Sequence, residues 1–143
     1  MSAVPAFRPD KGRSPARFLK VTPRLPVADL ARTIGFYTEV LGFQAGPPWP
    51  ADAPTFVLLQ QDDMSLQFYT AEQPGTEPTG HATIYFDVSD VRAMHRALSG
   101  RLAVEWGPKV YWYGRREFAV RDPDGYLLIF SERTSDPPTC NPD

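Results

Sequence analysis

The chain predicts an α+β fold: two tandem βαβββ modules forming a curved mixed sheet around a cavity, with the helices outside. Three observations lead there. "LPVAD" (Leu25–Asp29) and "FDVSD" (Phe86–Asp90) stand 61 residues apart, each closing a strand on an aspartate that opens a helix. "DMSLQFY" from Asp63 and "GYLLIFS" from Gly125 stand 62 apart. Each repeat is also too short to bury both faces of a sheet, whereas two together can curl into a cup.

The elements follow in order. "FLKVTPRLPV", Phe18 to Val27, alternates as a strand, with Pro23 and Pro26 limiting its pairing. Asp29 is placed as a helix N-cap. Leu30, Ile34, Tyr37 and Leu41 follow at helical spacing, and Gly42 ends the helix. Thr55–Gln60 and Met64–Thr70 read as strands joined by a hairpin turn at "QDD". The polar loop "AEQPGTEPTG" is the internal boundary. The order then recurs. "HATIYFDV" is a strand, and Asp90 caps a helix whose buried stripe is Val91, Met94 and Leu98, stopping near Gly100. "LAVEW" and "RREFAVR" are strands, "DPDG" is a tight turn, and "YLLIFSE" is the last strand. The expected organisation is a flexible arm (1–17), a first module (18–73), a linker (74–80), a second module (81–133) and a flexible tail (134–143).

Composition narrows the function. The chain has 143 residues, 42% hydrophobic and 13% aromatic. No run approaches ~18 apolar residues, which argues against a membrane span. The N-terminus lacks an apolar signal-like stretch, and the one cysteine, Cys140, lies in a Pro-rich tail. Both point to a cytoplasmic protein without disulfides. Net charge is −2, with +4 on residues 1–20 and −6 on the rest. An acidic body argues against a nucleic-acid partner. There is no glycine-rich phosphate loop, and Ser65 and Ser131 have no nearby histidine to activate them. His95 is expected to be a solvated helix residue.

"LPVADLARTIGFYTEVLGF" and "FAVRDPDGYLLIFSE" resemble the signatures of the vicinal oxygen chelate superfamily, which includes glyoxalase I, extradiol dioxygenases and bleomycin-resistance proteins. The resemblance spans about residues 18 to 132. "TPRLPVADLARTIGFY", "FVLLQQDDMSLQFY" and "DPDGYLL" look most like the bleomycin-resistance proteins, which bind their drug without chemistry between two subunits. The resemblance implies a homodimer and a small-molecule ligand, with no nucleic acid and no membrane.

In the enzymes of the superfamily, four places hold a divalent metal. They map here to Thr22, Gln67, Thr83 and Ile129. Only Gln67 is a plausible ligand, and three protein ligands are the usual minimum. The expectation is therefore no metal and no cofactor. The alternative, a metal-dependent glyoxalase- or dioxygenase-like enzyme, would need relocated ligands from His81, Glu117 and Gln67. Otherwise His81 is a polar cap at a strand start and Glu117 a partner for Arg115 or Arg116.

Without a metal, recognition rests on rings and hydrogen bonds. Trp49 and Phe56 stand near a strand entrance. Trp106, Tyr111, Trp112 and Tyr113 crowd eight residues, with Arg115 just beyond. Either these rings bind a ligand, or two of them staple a loop or a dimer contact. The resemblance implies stacking places at Tyr113, Phe56 and His81. The candidate ligand-binding set is Trp49, Phe56, Gln67, His81, Thr83, Tyr111, Trp112, Tyr113 and Arg115, with a planar aromatic guest. Arg115 and Arg116 either favour an acidic ligand or form a surface pair on an edge strand.

Overall fold

In the computed structural model, residue 12 and residues 14–70 and 77–140 are described. Most of the expected arm and part of the module junction lie outside them. The elements run β1 (Arg24–Val27), α1 (Leu30–Gly35), β2 (Gln44–Ala45), β3 (Phe56–Gln61), β4 (Met64–Thr70), β5 (Thr83–Asp87), α2 (Val91–Ser99), β6 (Val104–Tyr111), β7 (Arg115–Arg121) and β8 (Leu127–Arg133). They form two four-stranded sheets, ordered β1-β4-β3-β2 and β5-β8-β7-β6. In each, the first strand runs parallel to the last and the other pairings are antiparallel.

The registers repeat as closely as the sequence does. Arg24 lies opposite Gln67 in the first sheet, and Tyr85 opposite Ile129 in the second. Leu58 and Ala119 complete the two rows. One row further on, Phe56 pairs with Tyr69 while Glu117 pairs with Ser131. Position by position, then, Arg24 corresponds to Tyr85, Tyr69 to Ser131, and Phe56 to Glu117.

Both helices begin as their aspartates require. Asp29 Oδ1 accepts from Arg32 N at 3.0 Å, and Asp90 Oδ1 from Ala93 N at 3.0 Å. The first helix differs from expectation after Gly35. Phe36–Val40 opens into a π-helical turn, with Leu41 N donating to Phe36 O at 3.4 Å. That wider turn still leaves Tyr37 fully buried, against Phe68 and Phe43. In α2, Val91 and Leu98 are buried as the stripe predicts. His95 is not merely solvated: its ring meets Phe118 edge-on at 5.3 Å.

The first strand is shorter than predicted. Pairing with β4 closes at Gln67 N donating to Pro23 O. In this register, residues before Val21 would face the β3–β4 turn rather than a strand. Phe18, Leu19 and Val21 consequently stand 80–90% exposed. The strand expected at "LAVEW" instead continues to Tyr111, with an irregularity around Gly107 and Pro108. A proline is tolerated there because β6 is an edge strand. Gly107 is also required: it has φ +85°, and a Cβ would lie 2.3 Å from Glu117 O. Residues 134–140, expected as a loose tail, follow that edge. Val110 N donates to Thr139 Oγ1 at 2.9 Å, and Thr139 N to Val110 O at 2.8 Å.

One core joins the modules. It runs from Tyr37, Val57, Leu59 and Phe68 to Val91, Leu98, Phe118 and Phe130. Phe43 and Phe86 meet across it at 6.3 Å, and Phe86 stacks on Phe130 at 5.4 Å. Each such buried ring contributes roughly 1.5–3 kcal/mol. Strand alternation sends Arg24, Phe56, Gln67 and Tyr69 to the opposite face of the first sheet, and Tyr85, Glu117, Ile129 and Ser131 to that of the second.

The "DPDG" turn is the clasp between the modules. Asp122 Oδ2 accepts from Tyr37 Oη at 2.7 Å, and its Oδ1 accepts from the backbone N–H groups of Asp124 and Tyr126. Asp124 Oδ1 in turn accepts from Ala28 N at 2.9 Å, and Tyr126 Oη donates to Pro26 O. Burial raises the Asp122 carboxyl above its ordinary range, with the Tyr37, Tyr126 and Asp124 bonds pulling the other way. Tyr126 is pushed up to about 12 by burial and by the neighbouring aspartates.

Candidate functional site

The β6–β7 hairpin brings together the largest group of candidate residues. Tyr111 ends β6, Trp112 and Tyr113 occupy the turn, and Arg115 begins β7. Gly114, at φ +81°, lets the chain reverse there, and its N–H donates to Tyr111 O at 3.0 Å. Tyr111 and Tyr113 stack with centroids 5.4 Å apart, and Trp112 meets Tyr113 edge-on at 5.2 Å. Trp106 meets Tyr111 edge-on at 5.9 Å. Trp112 and Tyr113 nevertheless remain 58% and 46% exposed. Tyr113, Gly114 and Arg115 line a concavity of about 630 Å³ with Arg133, Thr134 and Ser135.

Polar groups beside these rings form a connected set that sequence reasoning only partly found. Ser131 Oγ accepts from Tyr85 Oη at 2.8 Å and from Arg115 Nε at 2.6 Å. Arg115 also pairs with Asp87, and Tyr113 Oη donates to Glu117 Oε1. Glu117 is 2% exposed, and its Oε2 has no hydrogen-bond partner. Burial pushes its carboxyl above the ordinary range, and the cross-strand Ser131 hydroxyl opposes this only in part. Burial also raises the Tyr113 hydroxyl, with Tyr111 adding to the shift and Arg115 opposing it. Tyr85 and Asp87 were legible in principle, since they alternate with Thr83 along one strand face.

Several expectations change. Arg115 and Arg116 do not form a surface pair on an edge strand, because β7 lies inside its sheet. Arg116 is buried on the core side and pairs with Glu132 and Asp136. Burial pulls its basicity down, but those two carboxylates outweigh it. Arg115 is engaged by Asp87 and Ser131, which removes the ground for expecting an acidic ligand. Glu117 bonds Tyr113 rather than pairing with either arginine.

The remaining candidates lie elsewhere. Trp49 and Phe56 share an isolated bridge, with Trp49 N donating to Phe56 O at 2.9 Å. Trp49 is exposed, whereas Phe56 is half-buried beneath Arg24. Arg24 lies 5.8 Å from the Phe56 centroid and 4.7 Å from that of Tyr69. Gln67 is half-buried between Arg24 and Leu58. Thr83 begins the edge strand β5, and His81, exposed, precedes it. These two are on the side of the second sheet away from β6.

The four metal places do not fit a divalent ion. Equivalent rows place Gln67 and Ile129 in matching positions, so the aliphatic side chain is not an artefact of alignment. Two hydroxyls, one amide and one isoleucine do not make the three-ligand minimum. Among the described residues, no group of three or more His, Cys, Asp or Glu side chains could hold a metal. The relocated set gains no support, since His81 precedes β5, two strands away from Glu117 on β7. No helix among the described residues is long and apolar enough to cross a membrane.

The two four-stranded mixed sheets agree with what comparison finds. A family profile matches residues 17–130, and the chain belongs to the glyoxalase/bleomycin resistance protein/dioxygenase superfamily. Among known members, it is 25% identical over 132 residues to a bleomycin resistance protein of Geobacillus stearothermophilus, covering 80% of this chain and 97% of that one. An antibiotic binding protein of Streptomyces sp. CB03234 superposes with a TM-score of 0.70 at 26% identity, covering 83% of this chain and 98% of the other. A bleomycin-binding protein of Streptomyces verticillus, solved with copper(II)-bleomycin, shares the fold at a TM-score of 0.65 and 22% identity, covering 85% and 99%.

Proposed function

We propose that this protein is a metal-free binding protein of the bleomycin-resistance type, which sequesters a planar aromatic ligand in a cavity or in a crevice between two copies. The observation that carries the reading is the Tyr111–Trp112–Tyr113 cluster. Two of its rings are left open to solvent at the mouth of the second sheet's free face. Stacking on such rings contributes ~0.5–1.5 kcal/mol per ring pair. Polar side chains positioned beside them fix orientation. The named relatives at about a quarter identity, a bleomycin resistance protein and an antibiotic binding protein, support a drug-like guest. Exposed Phe18, Leu19 and Val21 support a homodimer, because a second copy would cover them.

The test is titration of tryptophan fluorescence with bleomycin and with a panel of planar heteroaromatic compounds. Trp106 and Trp112 flank the site, so saturable quenching is expected. No quenching by any of them would remove the binding reading. Elemental analysis gives the complementary outcome, since stoichiometric zinc, nickel, manganese or iron in purified protein would favour an enzyme.

A further inference from the structure

We infer that Glu117 selects the guest: its carboxylate receives a cationic N–H donor on the edge of a planar aromatic ligand, so the site prefers protonated nitrogen heteroaromatics over acidic ones. This rests on the binding reading above and names the class of ligand.

The geometry gives three reasons. Glu117 occupies the register position that Phe56 holds in the first sheet, so a carboxylate stands where the other repeat has a ring. Its side chain is almost wholly buried, yet Oε2 lacks a donor. A buried acceptor without a partner is costly to keep unless something fills it. The cross-strand Ser131 hydroxyl offsets that cost only in part, and the cations nearby do not fill it. Arg115 is held by Asp87 and Ser131, Arg116 points to the opposite face with Glu132 and Asp136, and Lys109, across on β6, is exposed. Around the carboxylate, the Tyr111 and Tyr113 faces attract positive charge as well.

Access runs through Tyr113. It sits on the hairpin turn, nearly half-exposed, and its hydroxyl donates to Oε1. The tyrosine is thus a resident donor on one carboxylate oxygen, and a guest's N–H would take the other, Oε2. Its place on the turn, outside the paired residues of β6 and β7, leaves its side chain free to swing away from the carboxylate.

The experiment uses two planar probes of similar size, proflavine as the cation and acridine-9-carboxylate as the anion, titrated against the full chain. Proflavine is expected to bind about tenfold tighter or more, the range for a hydrogen bond to a charged group. Glu117→Gln should erase most of that preference. Tyr113→Phe, which keeps the ring but removes the resident hydroxyl, should keep it and tighten proflavine. Equal affinities in the unaltered protein, or a preference that survives in folded Glu117→Gln, would overturn the inference while leaving the stacking site standing. Failure of both probes to bind would overturn the stacking site itself, and the inference with it. The wild-type pair sets the sign of the preference, and Glu117→Gln assigns it to this residue.

Discussion

The two sheets share a register but not a chemistry. On the free face of the first, Arg24 is held against Phe56 and Tyr69. At the same three positions of the second stand Tyr85, Glu117 and Ser131, linked into a network that includes Arg115 and Tyr113. The first face carries a cation braced by rings, and the second a buried anion beside rings still open to solvent. Duplication of a backbone pattern therefore fixes where side chains point, while each copy is free to change what they offer. The differences are also uneven in energy. An exposed cation–ring contact is cheap, whereas a buried carboxylate oxygen without a donor is not.

Breaking what holds the halves together should have the largest effect. Asp122→Ala removes the acceptor for Tyr37 and for two backbone N–H groups. A loss of about 3 kcal/mol of unfolding free energy is expected in urea titrations. Tyr37→Phe removes one bond and should lose about 1–2 kcal/mol. Next comes the open face of the second sheet: Tyr113→Ala should weaken a planar aromatic ligand by at least ~1 kcal/mol in fluorescence titration. An unchanged affinity would show that the ring serves packing alone.

Glu117→Gln should act in the opposite direction on stability. Because the folded-state carboxyl titrates above the ordinary glutamate value of 4.5, the native state holds its proton longer than the unfolded chain. Its contribution is full below that value and is lost as pH rises through the raised one. The glutamine variant should therefore be more stable at neutral pH, by about 1 kcal/mol, and its melting temperature should depend less on pH above 4.5. Arg24→Ala should have the smallest effect, roughly 0.5–1 kcal/mol in stability, and should not alter affinity for a ligand at the second sheet. If it weakened binding as much as Tyr113→Ala does, the two faces would have to share one guest.

Much of the architecture could be read before the structure was known. Asp29, Asp90 and the 61-residue spacing located both helices, and the strands Met64–Thr70 and Arg115–Arg121 fall where alternation placed them. What escaped depends on neighbours far along the chain. The first strand shortens because β4 begins at Met64 and offers no partner for earlier residues. Arg115 and Arg116 looked like a surface pair, but sheet order makes β7 internal and sends successive side chains to opposite faces. The aromatic cluster was visible as composition. Its link to Glu117, Ser131, Tyr85 and Asp87 was not, because those residues converge from three strands.

The bond from Tyr37 to Asp122 spans 85 residues and ties a helix of one repeat to a turn of the other. A fragment cut at the junction would bare a phenol in one piece and a carboxylate in the other, each desolvated in vain. Neither piece carries a complete interior, so severed halves would have to find each other again before either could settle. Contacts so far apart along the chain are expected to make folding slower than that of a helical bundle of this size. The repeats can be counted as two, but they are expected to melt as one.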